Sequence, residues 1–378
     1  MMIKIIADDR IPFLKGVLEP YAHMGYLPGQ SITLHDLKDA DALLVRTRTK
    51  CSEDLLKGSA VKFIGTATIG YDHIDTVYCM NNGIEWINAP GCNSSSVQQY
   101  VIAALLKISN DSGFKLQEKT IGIIGVGHVG SKVERFARTI GMNVLLNDPP
   151  RESREGKEKF TDLNTLLSQS DIITLHVPLT MSGRYKTYHM IDDQNLEKVR
   201  KSAWLINSSR GEVADTSALK KALEKGSIEG TVIDVWENEP HIDPEMLNLA
   251  FIATPHIAGY SSDGKANGTA MIVNRISGYF DLPLREFYPA RIPGPDNPVI
   301  HIDARERDFE DILREAVIHT YDISEDDTRF RFSPSGFEKQ RGNYPARREF
   351  PAYSISINGA SDDDTRKLSA MGFKLSIR

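Results

Sequence analysis

The chain has 378 residues, 40% hydrophobic and 25% charged, the mix of an ordinary globular protein long enough for two or three domains. Its formal net charge of −6 provides no field for nucleic acid or an anionic lipid surface, although a local basic pocket for a small anion is still allowed. Three cysteines are too few for a disulfide framework, and their odd number fits a reducing compartment.

The start, MMIKIIADD, reaches aspartates before a signal-like apolar run develops. The longest apolar stretch, near Tyr100–Leu106, falls far short of the roughly 20 residues of a membrane helix. A cytoplasmic chain with no membrane and no nucleic-acid partner is therefore expected. Apolar runs at Ile3–Ala7, Leu43–Arg46, Lys62–Thr66 and Ile84–Asn88 read as strands, with helical spacing at Ser52–Leu56 and Ile74–Asn81. Such alternation predicts a parallel sheet with helices on both faces. Ala89-Pro90-Gly91 punctuates the chain, and Asn93 and Ser94 are good caps for a long helix over Ser94–Ile108.

A second alternation follows. Thr120–Gly125 reads as a buried strand, then come a glycine turn, a helix at Lys132–Ile140 and a strand at Asn143–Asn147. Helices at Asp162–Gln169 and Ser217–Lys225 interleave with strands at Ile172–His176, Trp204–Asn207, Gly230–Asp234 and Phe251–Thr254. A helix over Ala266–Tyr279 is followed by Leu282–Pro298, whose five prolines read as a linker. The tail carries RFRF and NYPARREF; Arg305–Ala316 patterns as an amphipathic helix and Phe350–Asn358 alternates as a strand.

Gly125-Val126-Gly127-His128-Val129-Gly130 fits G-x-G-x-x-G between a strand and a helix. The first glycine allows the tight turn, the second lets backbone approach a pyrophosphate, and the third lets the helix pack on the strand. The helix N-terminus then offers free N–H groups to the anion, with His128 and Val129 at its start. The next strand ends at Asp148, near the interval expected of an acid that binds the ribose hydroxyls. A carboxylate there repels a 2′-phosphate, which favours NAD over NADP; Arg151 and Arg154, just beyond, could hold a phosphate instead, but solvated charge near a loop is the preferred reading. Three further segments each follow a predicted strand: Asn207-Ser208-Ser209-Arg210-Gly211, Asp234 through Pro240, and Thr254-Pro255-His256-Ile257-Ala258-Gly259. Ligands of open α/β sheets bind at the carboxyl ends of strands, so an arginine, a carboxylate and a histidine would converge near the cofactor.

On these motifs the chain resembles the D-isomer-specific 2-hydroxyacid dehydrogenases, over roughly Met1–Asp281. DALLVRTRTK, GTATIGYDHID, NAPGCNSSSVQQY and the tail segment Asn343–Glu349 are similar to the erythronate-4-phosphate branch of that family. The resemblance implies an α/β fold of two Rossmann-like parallel-sheet lobes plus a small C-terminal α+β dimerisation domain. It implies a flavodoxin-like substrate domain over residues 1–92 and 257–283, a NAD-binding domain over 93–256 and the dimerisation domain over 284–378. It implies NAD-dependent oxidation of 4-phospho-D-erythronate to (3R)-3-hydroxy-2-oxo-4-phosphooxybutanoate, in pyridoxine 5′-phosphate (vitamin B6) synthesis, by a homodimer.

Carried over residue by residue, the resemblance makes His256 the base for the hydroxyl proton, Glu239 its carboxylate partner and Arg210 the clamp for the substrate carboxylate. This agrees with the chemistry: oxidising a secondary alcohol needs a base, a carboxylate fixes the imidazole's tautomer, and a guanidinium binds carboxylate bidentately. Val177, Ser208 and Arg210 match positions beside the nicotinamide half, Asp234 one near its carboxamide, and Gly259 a further cofactor contact. Thr47, Thr68 and Tyr260 match substrate contacts. Arg46 and Arg48 flank Thr47 and, on a strand, would face one pocket for the 4-phosphate, with Arg46 as its ligand. Arg347 and Arg348 either add charge there, as from a partner subunit, or form solvated or interface salt bridges. The cysteines lack metal-ligand spacing, and no metal is expected. Another 2-hydroxyacid dehydrogenase, such as a phosphoglycerate enzyme, and a non-enzymatic NADH-sensing protein are the alternative readings.

Overall fold

Short, fully buried runs such as Ala42–Val45 and Phe63–Thr66 form strands, as their pattern predicts, in a computed structural model that describes residues 2–377. The chain divides into two units. One holds the residues through Asn93 together with Ser261–Pro293; the other holds Ser94–Tyr260 together with the residues from Gly294 onward.

The first unit begins β1 (Ile3–Asp8), β2 (Ala22–Leu27), α1 (Leu34–Leu37), β3 (Ala42–Val45), α2 (Glu53–Leu56), β4 (Phe63–Thr66), α3 (Thr76–Asn81) and β5 (Glu85–Ile87). Its sheet runs β2-β1-β3-β4-β5, parallel throughout, the flavodoxin-like order. The sequence pattern misses β2, an edge strand in which Ala22 alone is buried and Gly25 interrupts the apolar run.

The second unit continues with α4 (Ser94–Ser112), β6 (Thr120–Ile124), α5 (His128–Thr139), β7 (Asn143–Asn147), α6 (Pro149–Glu155), α7 (Leu163–Gln169) and β8 (Ile172–Leu175). Then come α8 (Asp193–Leu196), β9 (Trp204–Asn207), α9 (Thr216–Glu224), β10 (Gly230–Ile233), α10 (Pro244–Leu249) and β11 (Ile252–Ala253). All strand pairs of this sheet are parallel, in the order β11-β10-β9-β8-β6-β7. Chain progression therefore reverses between β6 and β8, the topological switch point where such sheets bind ligands. Tyr100, Val101, Ile102 and Leu105 bury the middle of α4, each apolar side chain stabilising by roughly 1.5–3 kcal/mol relative to exposure.

Helix α11 (Ser262–Tyr279) belongs to the first unit, where Ile272, Val273 and Ile276 pack with Ile5, Leu44 and Phe63. Among the described residues no helix or strand falls between Tyr279 and Val299, the proline-rich stretch. From there β12 (Val299–Asp303), α12 (Phe309–Thr320), α13 (Ile323–Phe332), α14 (Phe337–Gly342), β13 (Ser354–Asn358), α15 (Asp362–Ala370) and β14 (Lys374–Ile377) follow, with a parallel β12-β13-β14 sheet. Ile312, Leu313 and Val317 of α12 share one core with Val101 and Leu105 of α4, so this segment packs on the lobe that carries the glycine turn. Among the described residues no helix is long and apolar enough to cross a membrane.

Candidate active site

The glycine turn occupies the switch point. Gly125 takes φ +87°, and a Cβ on it would lie 2.5 Å from the His176 carbonyl oxygen, so β6 and β8 meet there too closely for a side chain. A Cβ on Gly130 would lie 2.0 Å from the Gly125 carbonyl oxygen, whereas one on Gly127 would meet nothing within 4 Å. The first and third glycines thus serve packing, and the second opens onto space beside the α5 N-terminus. That helix lacks the side-chain cap that Asp148, Asp162 and Asp215 give to α6, α7 and α9. Its first N–H groups are the expected cradle for a pyrophosphate. At the end of β7, Asp148 accepts from Val126 N–H at 2.8 Å and from Arg151 N–H at 2.9 Å, which ties it to the turn. Arg151 is itself engaged by Glu155, at 2.7 Å, and by the Val126 carbonyl. The Ser208 hydroxyl, after β9, is buried with no partner among the described residues. An open second glycine, an uncapped helix and an orphaned hydroxyl together fit a dinucleotide.

Loops after β9, β10 and β11 carry the predicted trio. Asn207 accepts at Oδ1 from Ser209 N–H (3.1 Å) and Oγ (2.9 Å), and its amide donates to the Arg210 carbonyl at 2.9 Å, shaping the turn that presents Arg210. A Cβ on Gly211 would lie 2.0 Å from the Trp236 carbonyl carbon, so Arg210's loop is pressed against the loop that carries Glu239. Glu239 accepts from Trp236 N–H at 2.9 Å through one oxygen, closing a turn, and meets His256 Nδ1 at 2.8 Å through the other. Burial raises the Glu239 pKa, but the His256 hydrogen bond and charge, Trp236 N–H and the Arg341 charge outweigh it and hold the carboxyl below its usual range. With Nδ1 occupied by a carboxylate, His256 presents Nε2 as the free proton acceptor.

His256 sits in the left-handed region, φ +56°. Asp234 holds it there: its carbonyl accepts from His256 N–H at 2.7 Å, and its fully buried carboxylate accepts from Ile257 N–H (2.8 Å), Ala258 N–H (3.0 Å) and Thr254 Oγ1 (2.6 Å). Burial pushes the Asp234 pKa up against those bonds and the His256 charge. The side chain expected near a carboxamide is thus seen as the anchor of the loop that carries His256.

The sequence profile described as the NAD-binding domain of D-isomer specific 2-hydroxyacid dehydrogenases matches residues 94–258, and a domain of unknown function matches 292–372. An erythronate-4-phosphate dehydrogenase of Bacteroides thetaiotaomicron is 50% identical over 93% of this chain and 99% of its own. One of Porphyromonas gingivalis is 43% identical over 98% of this chain and 100% of its own. The chain belongs to the erythronate-4-phosphate dehydrogenase family. Among solved structures, a D-lactate dehydrogenase of Aquifex aeolicus complexed with NAD and lactic acid is similar with a TM-score of 0.60 and 28% identity, over 75% of this chain and 97% of that one. This erythronate-4-phosphate dehydrogenase family member is an NAD-dependent 2-hydroxyacid dehydrogenase.

Not every residue expected at the dehydrogenase's site falls as the sequence suggests. β3 ends at Val45, so Arg46 and Arg48 lie beyond the strand and its alternation does not set their direction; Arg46 Nη1 donates to the Arg10 carbonyl at 3.3 Å. Thr47 is exposed in the same loop. Thr68 follows β4, its hydroxyl 2.8 Å from Thr66 Oγ1 and 3.0 Å from the Gly70 carbonyl. Val177 packs beside the glycine turn, where it would meet a Gly125 Cβ at 2.8 Å. Gly259 and Tyr260 lie three and four residues after His256.

Arg347, read either as added charge at the phosphate or as a salt bridge, is neither solvated nor at the surface. It is buried in its own chain, 5% exposed, with Nη2 donating to Ser96 Oγ at 2.9 Å and to the Ala258 carbonyl at 2.5 Å. Its guanidinium stacks 4.3 Å over the Tyr321 ring. The tail motif therefore braces the α4 start and the residues after His256, and Gln99 adds a bond to the Arg348 carbonyl at 3.2 Å.

Two residues near these loops escape sequence reading. His176, after β8, is held neutral by burial, its pKa lowered to about 3, with Nε2 3.0 Å from Thr174 Oγ1. Arg341 of α14 lies over the Tyr260 ring, 5.8 Å from its centroid. Only a histidine closing a strand at the switch point could have flagged the first; no local pattern marks the second.

Proposed function

We propose that this dehydrogenase oxidises 4-phospho-D-erythronate at C2 to (3R)-3-hydroxy-2-oxo-4-phosphooxybutanoate, a step toward pyridoxine 5′-phosphate. The His256–Glu239 pair at 2.8 Å, set on a loop pinned by Asp234, carries this reading, together with the names of the near-full-length relatives. In it Arg210 binds the substrate carboxylate and polarises the C2 oxygen. His256 Nε2 takes the C2 hydroxyl proton, and Glu239 stabilises the imidazolium that results. NAD, when bound, supplies the hydride acceptor. Gly125, Gly127, His128, Val129 and Gly130 would hold its pyrophosphate, Asp148 its adenosine ribose, and Val177, Ser208, Arg210, Asp234 and Gly259 its nicotinamide half. Arg46, Thr47, Thr68 and Tyr260 are the substrate contacts.

The same reading makes the protein a cytoplasmic homodimer through its C-terminal segment. Ile318 (51% exposed) and Phe332 (91% exposed) of α12 and α13 offer apolar surface for the second copy. Sedimentation should give twice the chain mass, and a monomer at micromolar concentration removes that part of the proposal. Turnover of purified protein on a panel of 2-hydroxy acids, with and without a terminal phosphate, tests the reaction. The phosphorylated four-carbon acid should lead by at least an order of magnitude in kcat/KM; indifference to the phosphate, or no turnover, refutes it.

A further inference from the structure

We propose that Arg341 is a specificity residue, binding the terminal phosphate of the substrate. The inference rests on the substrate reading above. It starts from charge: such a substrate brings two anionic ends, Arg210 answers the carboxylate, and of the substrate contacts named above only Arg46 is a cation.

Arg341 belongs to α14, in the segment matched by the domain of unknown function rather than by the dehydrogenase profile. The fold nonetheless lays its guanidinium over Tyr260, four residues after the catalytic histidine, and within electrostatic range of Glu239. Phe337 lies on it too, 5.6 Å from its ring centroid, and Glu338 accepts from Nη1 at 2.9 Å. These contacts fix a planar fork whose side chain is 15% exposed, while the buried Nε has no partner among the described residues. Burying a guanidinium is costly unless its donors are used, so an incompletely bonded one beside a substrate loop suits an incoming anion. Glu239 is not that anion, because His256 and Trp236 already take its two oxygens.

The comparison with shorter relatives points the same way. The Aquifex aeolicus D-lactate dehydrogenase, solved with lactic acid, covers 97% of its own length but 75% of this chain. Lactic acid has one anionic group. The chain that carries the additional segment is the one in which that segment delivers a cation to the catalytic loops.

The test compares Arg341→Gln and Arg341→Lys with the intact enzyme on two substrates, 4-phospho-D-erythronate and D-erythronate. NADH binding by fluorescence and thermal unfolding serve as controls. Arg341→Gln should raise KM for the phosphorylated acid about 10- to 100-fold, while kcat on both substrates and KM for D-erythronate stay within about threefold. Arg341→Lys keeps the charge but not the fork and should fall between; if the glutamine variant does not fold, the lysine variant decides by the same comparison. Equal losses on both substrates, no change on either, or a displaced pH profile of kcat with discrimination intact would overturn the proposal. If the unaltered enzyme shows no preference for the phosphorylated acid, the substrate reading itself fails and takes this proposal with it. Intact preference in both variants sinks the Arg341 assignment alone.

Discussion

Replacing Glu239 by glutamine keeps the side chain's shape and removes its charge. The two oxygens of Glu239 accept from Trp236 N–H at 2.9 Å and from His256 Nδ1 at 2.8 Å, and an amide has one acceptor to offer. If the amide oxygen stays on Trp236, the NH2 faces Nδ1, which must then accept. The proton moves to Nε2, and the base is lost. General acid–base catalysis contributes about 10²- to 10⁴-fold, so kcat should fall by that factor while folding is little affected. If the amide turns over, its NH2 opposes Trp236 N–H, costing about 1–3 kcal/mol of stability, and catalysis is partly spared. Loss of kcat and loss of stability therefore trade against each other. Steady-state kinetics with urea unfolding on one preparation reads both. A variant that keeps full kcat and full stability would rule out this pairing, since neither amide orientation preserves both bonds.

The depressed pKa of Glu239 adds a signed expectation for acid. A carboxyl whose folded pKa lies below its unfolded value stabilises above the unfolded value, near 4.3 for a free glutamate, and that share is lost as pH falls through the folded pKa. Unfolding free energy should thus drop less between pH 7 and pH 3 in Glu239→Gln than in the parent; an equal drop would contradict the pairing. Gly127→Ala should fold normally, because its Cβ meets no atom, yet weaken NADH binding at least about tenfold by filling the pyrophosphate approach. Gly130→Ala should instead destabilise the protein, since its Cβ would lie 2.0 Å from the Gly125 carbonyl oxygen; fluorescence titration and thermal melts separate the two. Arg347→Met strips the donor from Ser96 Oγ and the Ala258 carbonyl and should cost roughly 2–4 kcal/mol in urea unfolding, whereas a phosphate ligand would show its loss in KM. Asp148→Asn should narrow the preference for NAD over NADP, measured as the ratio of kcat/KM values, because Arg151 is occupied by Glu155 and the carboxylate is what repels a 2′-phosphate.

Strands buried on both faces, such as Ala42–Val45, Ile172–Leu175 and Trp204–Asn207, were legible because a parallel sheet covered by helices demands continuous apolar runs. The edge strand β2 lacked that signal, and α6 opens on Pro149-Pro150, which reads as a loop until proline's fitness for a helix's first turn is weighed. α13 contains RFRF, whose Phe330 is fully buried against Trp236 while Phe332 is exposed; spacing alone does not separate the two. The His256, Glu239 and Arg210 loops were legible because each motif follows its strand. The work of Asp234, Arg347 and Arg341 was not, because their partners come from distant segments that only folding brings together.

Hydride loss from C2 of a 2-hydroxy acid, with His256 as the base, is the step on which the proposed reaction stands. Oxidation of 4-phospho-D-erythronate deuterated at C2 tests it most directly. The deuterium should appear in NADH, and His256→Asn should lower kcat by at least about 100-fold with NADH affinity retained. Deuterium released to solvent, or undiminished turnover by His256→Asn, would contradict it.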